Sequence, residues 1–489
     1  MDYRWRVLIA VGFGTYMATM DFSIVNIALP TLSREFDKPP DTVVWVSLIS
    51  SLVVTGLTLT AGRAGDLFGR KLIYVAGWVI FTAGMAIAPF AQSVEQLIAL
   101  RFVQAVGTAL AIANGNAIVT SAFPASQRGR ALGTTGAIVG AGLMSGPLFG
   151  GLMLEALGWQ ALFYLRVPIG IIALTLAMLL IREPGRAPGE RGRLDIPGAL
   201  TLFVALSTTL LAVNRGSSWG WMSPAILALF AIGAISLALF LYIESRSPSP
   251  VVSLALFKLR SFSTAVLSLM LNFAGQSAVT FLMPFYLTRV HDYSTARAGA
   301  VIATVPLMML LLSPISGWTA DKYGFRHQTT LGLVLVVLGL LTLATLEQDT
   351  PMWLIMARLA IVGVGTAIFT SPNSSMVMGS VPANQLGTAS ASVATSRNIG
   401  NAVGLALSSA VLVGVASSVS GLEDVRADEL PAGALLDGIR AAFLVAAAVS
   451  SIAVVASIFR PGREALAEAG PAGARGVAQI DRRGLRTED

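Results

Sequence analysis

The chain has 489 residues, 55% hydrophobic and 12% charged, with a mean hydropathy of +0.74 and a formal net charge of +7. A soluble chain carries about 25% charged residues, so this composition excludes an ordinary water-soluble enzyme and points into the bilayer. The absence of cysteine excludes disulfides and thiolate sites. His291 and His327 alone build no metal cluster, so no metal is expected.

Fourteen apolar runs follow in order, near 5–30, 42–62, 73–91, 97–120, 132–153, 162–181, 195–213, 224–244, 263–288, 296–317, 328–346, 353–376, 389–417 and 438–459. About 20 such residues cross a hydrocarbon core. The first run continues past Leu29 with no small-residue cleavage site, so it reads as a retained span and not a signal peptide. It holds Asp21, the only acid deep within a predicted span. A carboxylate at that depth costs roughly 2.5–3.5 kcal/mol on insertion scales and is a functional candidate by default. It either exchanges a proton as its surroundings alternate between wet and dry, or forms an ion pair that holds helices together.

The loop after run two reads Gly62-Arg63-Ala64-Gly65-Asp66-Leu67-Phe68-Gly69-Arg70-Lys71. The loop after run ten reads Gly317-Trp318-Thr319-Ala320-Asp321-Lys322-Tyr323-Gly324-Phe325-Arg326. Both are G-x-x-x-D-x-x-G followed by basic residues. Such repetition implies two equivalent halves, a construction common in transporters. Charge pairs at Asp66 and Asp321 beside Arg70, Lys71 and Arg326 are suited to latch neighbouring helices; a solvated turn with topogenic charge is the blander alternative.

Run four opens with Arg101 and Gln104, one turn apart and at a depth where both reach Asp21, and carries Asn114 and Asn116 further on. Run five carries Gly142, Gly146, Pro147, Gly150 and Gly151. Small residues four apart permit close helix approach, and proline bends the helix. Run nine places Ser268, Asn272, Gln276 and Thr280 on one face, ahead of Pro284. Run twelve has Arg358 followed by Val364-Gly365-Thr366-Ala367, one residue out of register with Arg101 and Val106-Gly107-Thr108-Ala109 of run four, and holds Thr370 and Asn373; run thirteen holds Arg397, Asn398 and Asn401. Polar groups on a lipid-embedded helix must face protein or water. They line a substrate cavity or hydrogen-bond between helices, and periodicity leaves both open.

With the amino terminus inside, 22 of the 33 Lys and Arg fall at cytoplasmic ends and 6 in outer loops, which supports an even span count with both termini cytoplasmic. Runs 1–6 match runs 9–14. The expected divisions are a first six-helix bundle over 1–181, an inserted pair with linkers over 182–262, a second six-helix bundle over 263–460, and a disordered cytoplasmic tail over 461–489. No HExxH or P-loop pattern is present, so no enzyme and no ATP drive is expected.

These motifs resemble those of the major facilitator superfamily and, within it, the fourteen-span drug:proton antiporters, over nearly the whole chain. Asp21-Phe22-Ser23-Ile24-Val25-Asn26-Ile27-Ala28-Leu29-Pro30 is similar to that family's first-helix motif, the stretch 62–71 to the loop signature, 101–109 to the fourth-helix motif and 142–151 to the antiporter motif. The resemblance implies an all-α membrane protein with the major facilitator fold. It also implies proton coupling through Asp21, Arg101 and Gln104, and export by rocker-switch alternating access.

Departures are Ala105 in place of a usual glycine, Leu67 for a basic residue and Arg166 for an asparagine. Runs 9–14 hold no deep acid but hold Arg358 and Arg397, which argues against divalent cations and for monocationic, neutral or zwitterionic amphipaths. The expected reading is a monomeric exporter of amphipathic drugs or metabolites in a bacterial inner membrane, powered by the proton gradient without a cofactor, with no nucleic-acid partner. An uptake symporter and a non-transporting receptor or lipid-handling scaffold are the rivals; the run-five motif argues against the first and the polar faces against the second.

Overall fold

Lipid offers the backbone no hydrogen-bond partner, so a chain this apolar satisfies its peptide groups within helices. The computed structural model describes residues 2–182, 193–420 and 431–458, without the side chains of Pro147, Leu148, Gly151, Leu152 and Ser217. The tail over 461–489 therefore lies outside the described residues, as do Pro147 and Gly151 of the antiporter motif as contacts.

The first part comprises α1 (Tyr3–Glu35), α2 (Pro40–Val43), α3 (Trp45–Phe68), α4 (Arg70–Ile87), α5 (Val94–Ala122), α6 (Arg128–Leu157), α7 (Ala161–Tyr164) and α8 (Val167–Leu180). Two helices follow, α9 (Ile196–Trp219) and α10 (Pro224–Arg246). The last part comprises α11 (Arg260–Phe285), α12 (Thr295–Ile302), α13 (Thr304–Tyr323), α14 (Arg326–Leu343), α15 (Met352–Gly379), α16 (Leu386–Ser420) and α17 (Ala432–Ile458). Among the described residues, 13 helical segments are long and apolar enough to cross a membrane. The predicted run at 132–153 falls on α6, a 30-residue helix outside that set of 13.

The repeat is visible in the packing. A Cβ on Gly77 would stand 2.7 Å from the Gly107 carbonyl oxygen, so α4 and α5 touch backbone to backbone. Gly332 and Gly365 join α14 to α15 in the same way, at 2.8 Å. The motif glycines Gly69 and Gly324 end α3 and α13 at φ 107° and 92°, where a Cβ is strained. One apolar core gathers around Trp78, Tyr74 and Phe81 in the first part, and another around Phe443, Leu340 and Tyr286 in the second.

The two parts meet along two seams, α6 against α13 and α3 against α16. Helix α9 packs on α3 and α16, and α10 packs on α9, leaving Ile235, Leu237, Leu239 and Leu241 exposed on its outer face. Arg4 donates to Gln127 and Arg130 lies over Trp5, so the amino terminus shares one end of the molecule with the loop motifs; this is called the basic end below.

Candidate functional site

Three elements carry the predicted functional residues: a buried ion cluster, a pair of latches at the basic end, and a central cavity.

Asp21 on α1, Arg101 and Gln104 on α5, and Arg166 between α7 and α8 are 6%, 2%, 1% and 0% exposed, so this charge is withdrawn from both lipid and water. Arg101 donates Nη1 to both Asp21 oxygens at 3.1 and 2.9 Å and to Gln104 Oε1 at 2.6 Å. Gln104 Nε2 reaches Asp21 at 3.5 Å. Sequence reasoning placed those three together but gave Arg166 no role. Arg166 donates Nη1 to Asp21 Oδ1 at 2.6 Å and Nε to the Leu162 carbonyl. The signal was present: a fully buried arginine needs a counter-charge, and the spans offered one acid.

One carboxylate is therefore shared by two guanidiniums, and the cluster keeps a net positive charge while Asp21 is ionised. Removing the negative charge would leave two cations facing each other in a low-dielectric site. The cluster ties α1, α5 and α8 together only as long as the carboxylate stays charged.

The antiporter motif seats α6 on α1 beside that carboxylate. Cβ atoms on Gly142, Gly146 and Gly150 would meet Thr19 Oγ1 at 1.9 Å, Ser23 Oγ at 2.1 Å and Ile24 at 2.7 Å. Tyr16 donates its hydroxyl to Ser145 at 2.9 Å across the same seam. The other face of α6 is also glycine-lined: Cβ atoms on Gly133 and Gly140 would meet the Ser313 and Pro306 carbonyls of α13 at 2.4 and 2.6 Å. One helix thus touches the Asp21 helix on one side and the second half of the molecule on the other.

The latches are reciprocal. Asp66 accepts from the Gly387 and Thr388 backbone N–H groups at the start of α16, both at 2.8 Å, and from the Thr388 hydroxyl at 3.1 Å. Asp321 accepts from the Gly129 and Arg130 N–H groups at the start of α6, again both at 2.8 Å. A helix amino terminus presents free N–H groups and a positive dipole end, which a carboxylate satisfies. Each half thus caps the fifth long helix of the other. Arg70 holds Asp66 at 2.8 Å and donates to the Ala383 carbonyl at 2.6 Å. Lys71 and Arg326 instead donate to the Met178 and Ile458 carbonyls.

Glycine is required where the capped ends arrive. A Cβ on Gly62 would lie 2.5 Å from the Gly387 carbonyl oxygen, and one on Gly317 2.0 Å from that of Gly129. The receiving ends form a second repeat that the motif search missed: Pro124-Ala125-x-Gln127-x-Gly129-x-Ala131 and Pro382-Ala383-x-Gln385-x-Gly387-x-Ala389.

The central cavity is small, about 70 Å3, and partly open to solvent. It is walled by α1 at Gly14, Thr15 and Thr19, by α4 at Tyr74 and Trp78, by α5 at Asn116, by α6 at Thr135, and by α16 at Arg397. Of the polar residues expected to line it, Asn116 and Arg397 do. Asn114 donates to the Ala61 and Leu110 carbonyls, and Asn373 to that of Ala265; both are wholly buried and act between helices. Thr370 bonds back to Thr366. Asn272 is wholly buried, Thr280 is exposed, and Gln276, Asn398 and Asn401 are half-buried, all away from this cavity.

A Major Facilitator Superfamily model matches residues 11–405 and, again, 265–485. The chain belongs to the Major Facilitator Superfamily. It is a membrane transporter and not an enzyme. The chain is 36% identical over 407 residues to the riboflavin transporter RibZ of Clostridioides difficile (strain 630), covering 83% of this chain and 88% of that one. It is 32% identical over 407 residues to the multidrug resistance protein Stp of Mycobacterium tuberculosis (strain ATCC 25618 / H37Rv), covering 83% and 75%. The crystal structure of the human organic anion transporter MFSD10 superposes with a TM-score of 0.65 at 16% identity, over 93% of this chain and 99% of that one, and shows the shared fold alone. The repeated model match agrees with the duplicated loops, glycine contacts and latches.

Proposed function

We propose that this transporter exports amphipathic small molecules from a bacterial cytoplasm in exchange for protons, as a monomer without a cofactor. In this reading the basic end faces the cytoplasm, both termini lie there, and Asp21 stands toward the outer side. The carrying observation is the single buried carboxylate shared by Arg101 and Arg166 on a helix seamed to α6.

An ionised Asp21 holds α1, α5 and α8 together. A proton arriving from outside discharges it, and the two guanidiniums then separate. Because α6 is packed on α1 along the Gly142–Gly146–Gly150 face, a shift of α1 moves α6. Its far end, about 20 Å away at 1.5 Å per residue, carries the Asp321 latch. Opening both latches exposes the cavity to the cytoplasm. Substrate then favours re-closure, and Asp21 releases its proton inward. One charge crossing the field supplies about 2.3 kcal/mol per 100 mV. The name of Stp, a multidrug resistance protein, supports several drugs as cargo; that of RibZ, a riboflavin transporter, gives no direction, and uptake of one nutrient is the second reading.

Everted vesicles with an acid lumen separate the two. Export predicts that rhodamine 123 or fluorescein added outside accumulates in the lumen and that the lumen loses protons as it does. Asp21→Asn abolishes the proton release while counterflow of preloaded dye persists. An acid lumen that instead empties preloaded dye establishes uptake, and unchanged proton release in Asp21→Asn removes Asp21 from the mechanism.

A further inference from the structure

Arg397 sits in the wall of the central cavity with no partner. No carboxylate, carbonyl or hydroxyl among the described residues accepts from its guanidinium, which offers five N–H donors. It lies about 16 Å along α16 from Leu386, near the middle of a core about 30 Å thick. A guanidinium keeps its charge there and is costly without a counter-group. The other arginines withdrawn into the first half show the contrast, since Arg101 and Arg166 share Asp21.

The rest of the wall is biased in the same direction. No acidic residue lines the cavity. Tyr74 and Trp78, 2% and 1% exposed, stand side by side on α4 against this space. The hydroxyls of Thr15, Thr19 and Thr135 already donate to their own helices. Arg397 therefore shares one space with the rings of Tyr74 and Trp78, the Asn116 amide and an apolar edge of Ala18, Ile112, Val139 and Val393. A fixed positive charge left this way calls for a ligand that brings an acceptor. A cationic ligand would meet a fixed positive charge instead.

We propose that the cavity takes aromatic amphipaths bearing an anionic acceptor group, a carboxylate or an ionised enol or phenol, with Arg397 as its counter-charge and the Tyr74 and Trp78 rings against its aromatic part. The class differs from the monocationic and neutral substrates expected from sequence and overlaps the zwitterionic ones also expected there. It deepens the transport reading, because such a ligand bridges the first half to α16, the helix that Asp66 caps. A bridged ligand then draws the halves together at the same seam as the latch.

The test uses the purified full chain in detergent and two dyes on the same xanthene ring system, anionic fluorescein and cationic rhodamine 123, followed by fluorescence polarisation. The wild type binds fluorescein at least tenfold more tightly than rhodamine 123. Arg397→Gln weakens fluorescein at least tenfold and leaves rhodamine 123 equal or tighter, which also shows that the variant is folded. Arg397→Lys restores part of the fluorescein affinity. Equal or tighter rhodamine 123 binding by the wild type, no fluorescein binding, or an Arg397→Gln variant with unchanged fluorescein affinity overturns the proposal. Binding needs no gradient, so an anion preference without proton release in vesicles fails the antiport reading alone, and proton-coupled transport of rhodamine 123 with no fluorescein binding fails this one alone.

Discussion

The two halves share latches but not charge. At the basic end each presents an aspartate to the other's helix amino terminus with N–H distances of 2.8 Å. Toward the other end, the first half holds Asp21 between two arginines. The corresponding stretch of the second half holds Gln276 and Arg358, and Gln276 Oε1 and Arg358 Nη1 are buried without a hydrogen bond. Among the described residues a carboxylate buried between arginines is thus confined to one half, while the helix-capping contacts are duplicated. One titrating site is sufficient to drive a symmetric movement if the moving contacts are wired reciprocally.

The largest effect that would sharpen this contrast comes from removing the carboxylate. Asp21→Ala strands two buried guanidiniums, and breaking a buried pair in this way costs about 3–5 kcal/mol. Thermal unfolding in detergent should show a large loss. The double variant Asp21→Ala with Arg166→Met should be more stable than the single, because one stranded charge is gone. Gln276→Ala, in the neutral half, should cost less than about 1 kcal/mol, as a residue with an already unpaired oxygen has little to lose. Equal losses for Asp21→Ala and Gln276→Ala would break the comparison.

How much of this was readable in the residues differs by kind of constraint. An acid inside an apolar run demands a cation, so Asp21, Arg101 and Gln104 were assembled correctly. Arg166 escaped because it stands at the edge of its run, where arginine ordinarily snorkels to the interface. The duplicated loops announced a latch, yet nothing in G-x-x-x-D-x-x-G says what the aspartate holds. Its receptor lay in the Pro-Ala-x-Gln-x-Gly repeat, which the loop signature does not point to. The cavity was the least legible part. Helical periodicity puts Asn114 or Asn373 on a polar face, but only the packing decides that this face meets a neighbouring carbonyl and not open space.

The latches should respond alike. Asp66→Asn and Asp321→Asn each remove the charge from a carboxylate that caps two helix N–H groups of the other half. Loss of a capping interaction costs about 0.5–2 kcal/mol, and 1.4 kcal/mol is a tenfold shift in an opening equilibrium. The chain has no cysteine, so single reporters are clean. Ala391→Cys reports the α3–α16 seam and Ser313→Cys the α6–α13 seam; both positions are buried. Labelling at both should accelerate in either latch variant, by about tenfold. Acceleration at only one seam per variant would show that the halves open independently, contrary to a reciprocal closure.

The smallest expected effect comes from giving the second half the charge it lacks. Gln276→Glu places a carboxylate in the α11 stretch that corresponds to Asp21, in the half whose buried Arg358 has an unpaired Nη1. If the two meet, the gain in their attraction is offset by desolvating a new charge, so the net change in stability should stay within about 1 kcal/mol. The informative reading is proton release, because stability alone cannot tell an inert ion pair from a titrating one. A second acid that titrates between the two facing states would raise the protons released per dye accumulated above the wild-type ratio. An unchanged ratio, with the variant folded and transporting, would mean that a carboxylate needs the paired arginines of the Asp21 cluster, and not merely the position, to couple a proton to movement.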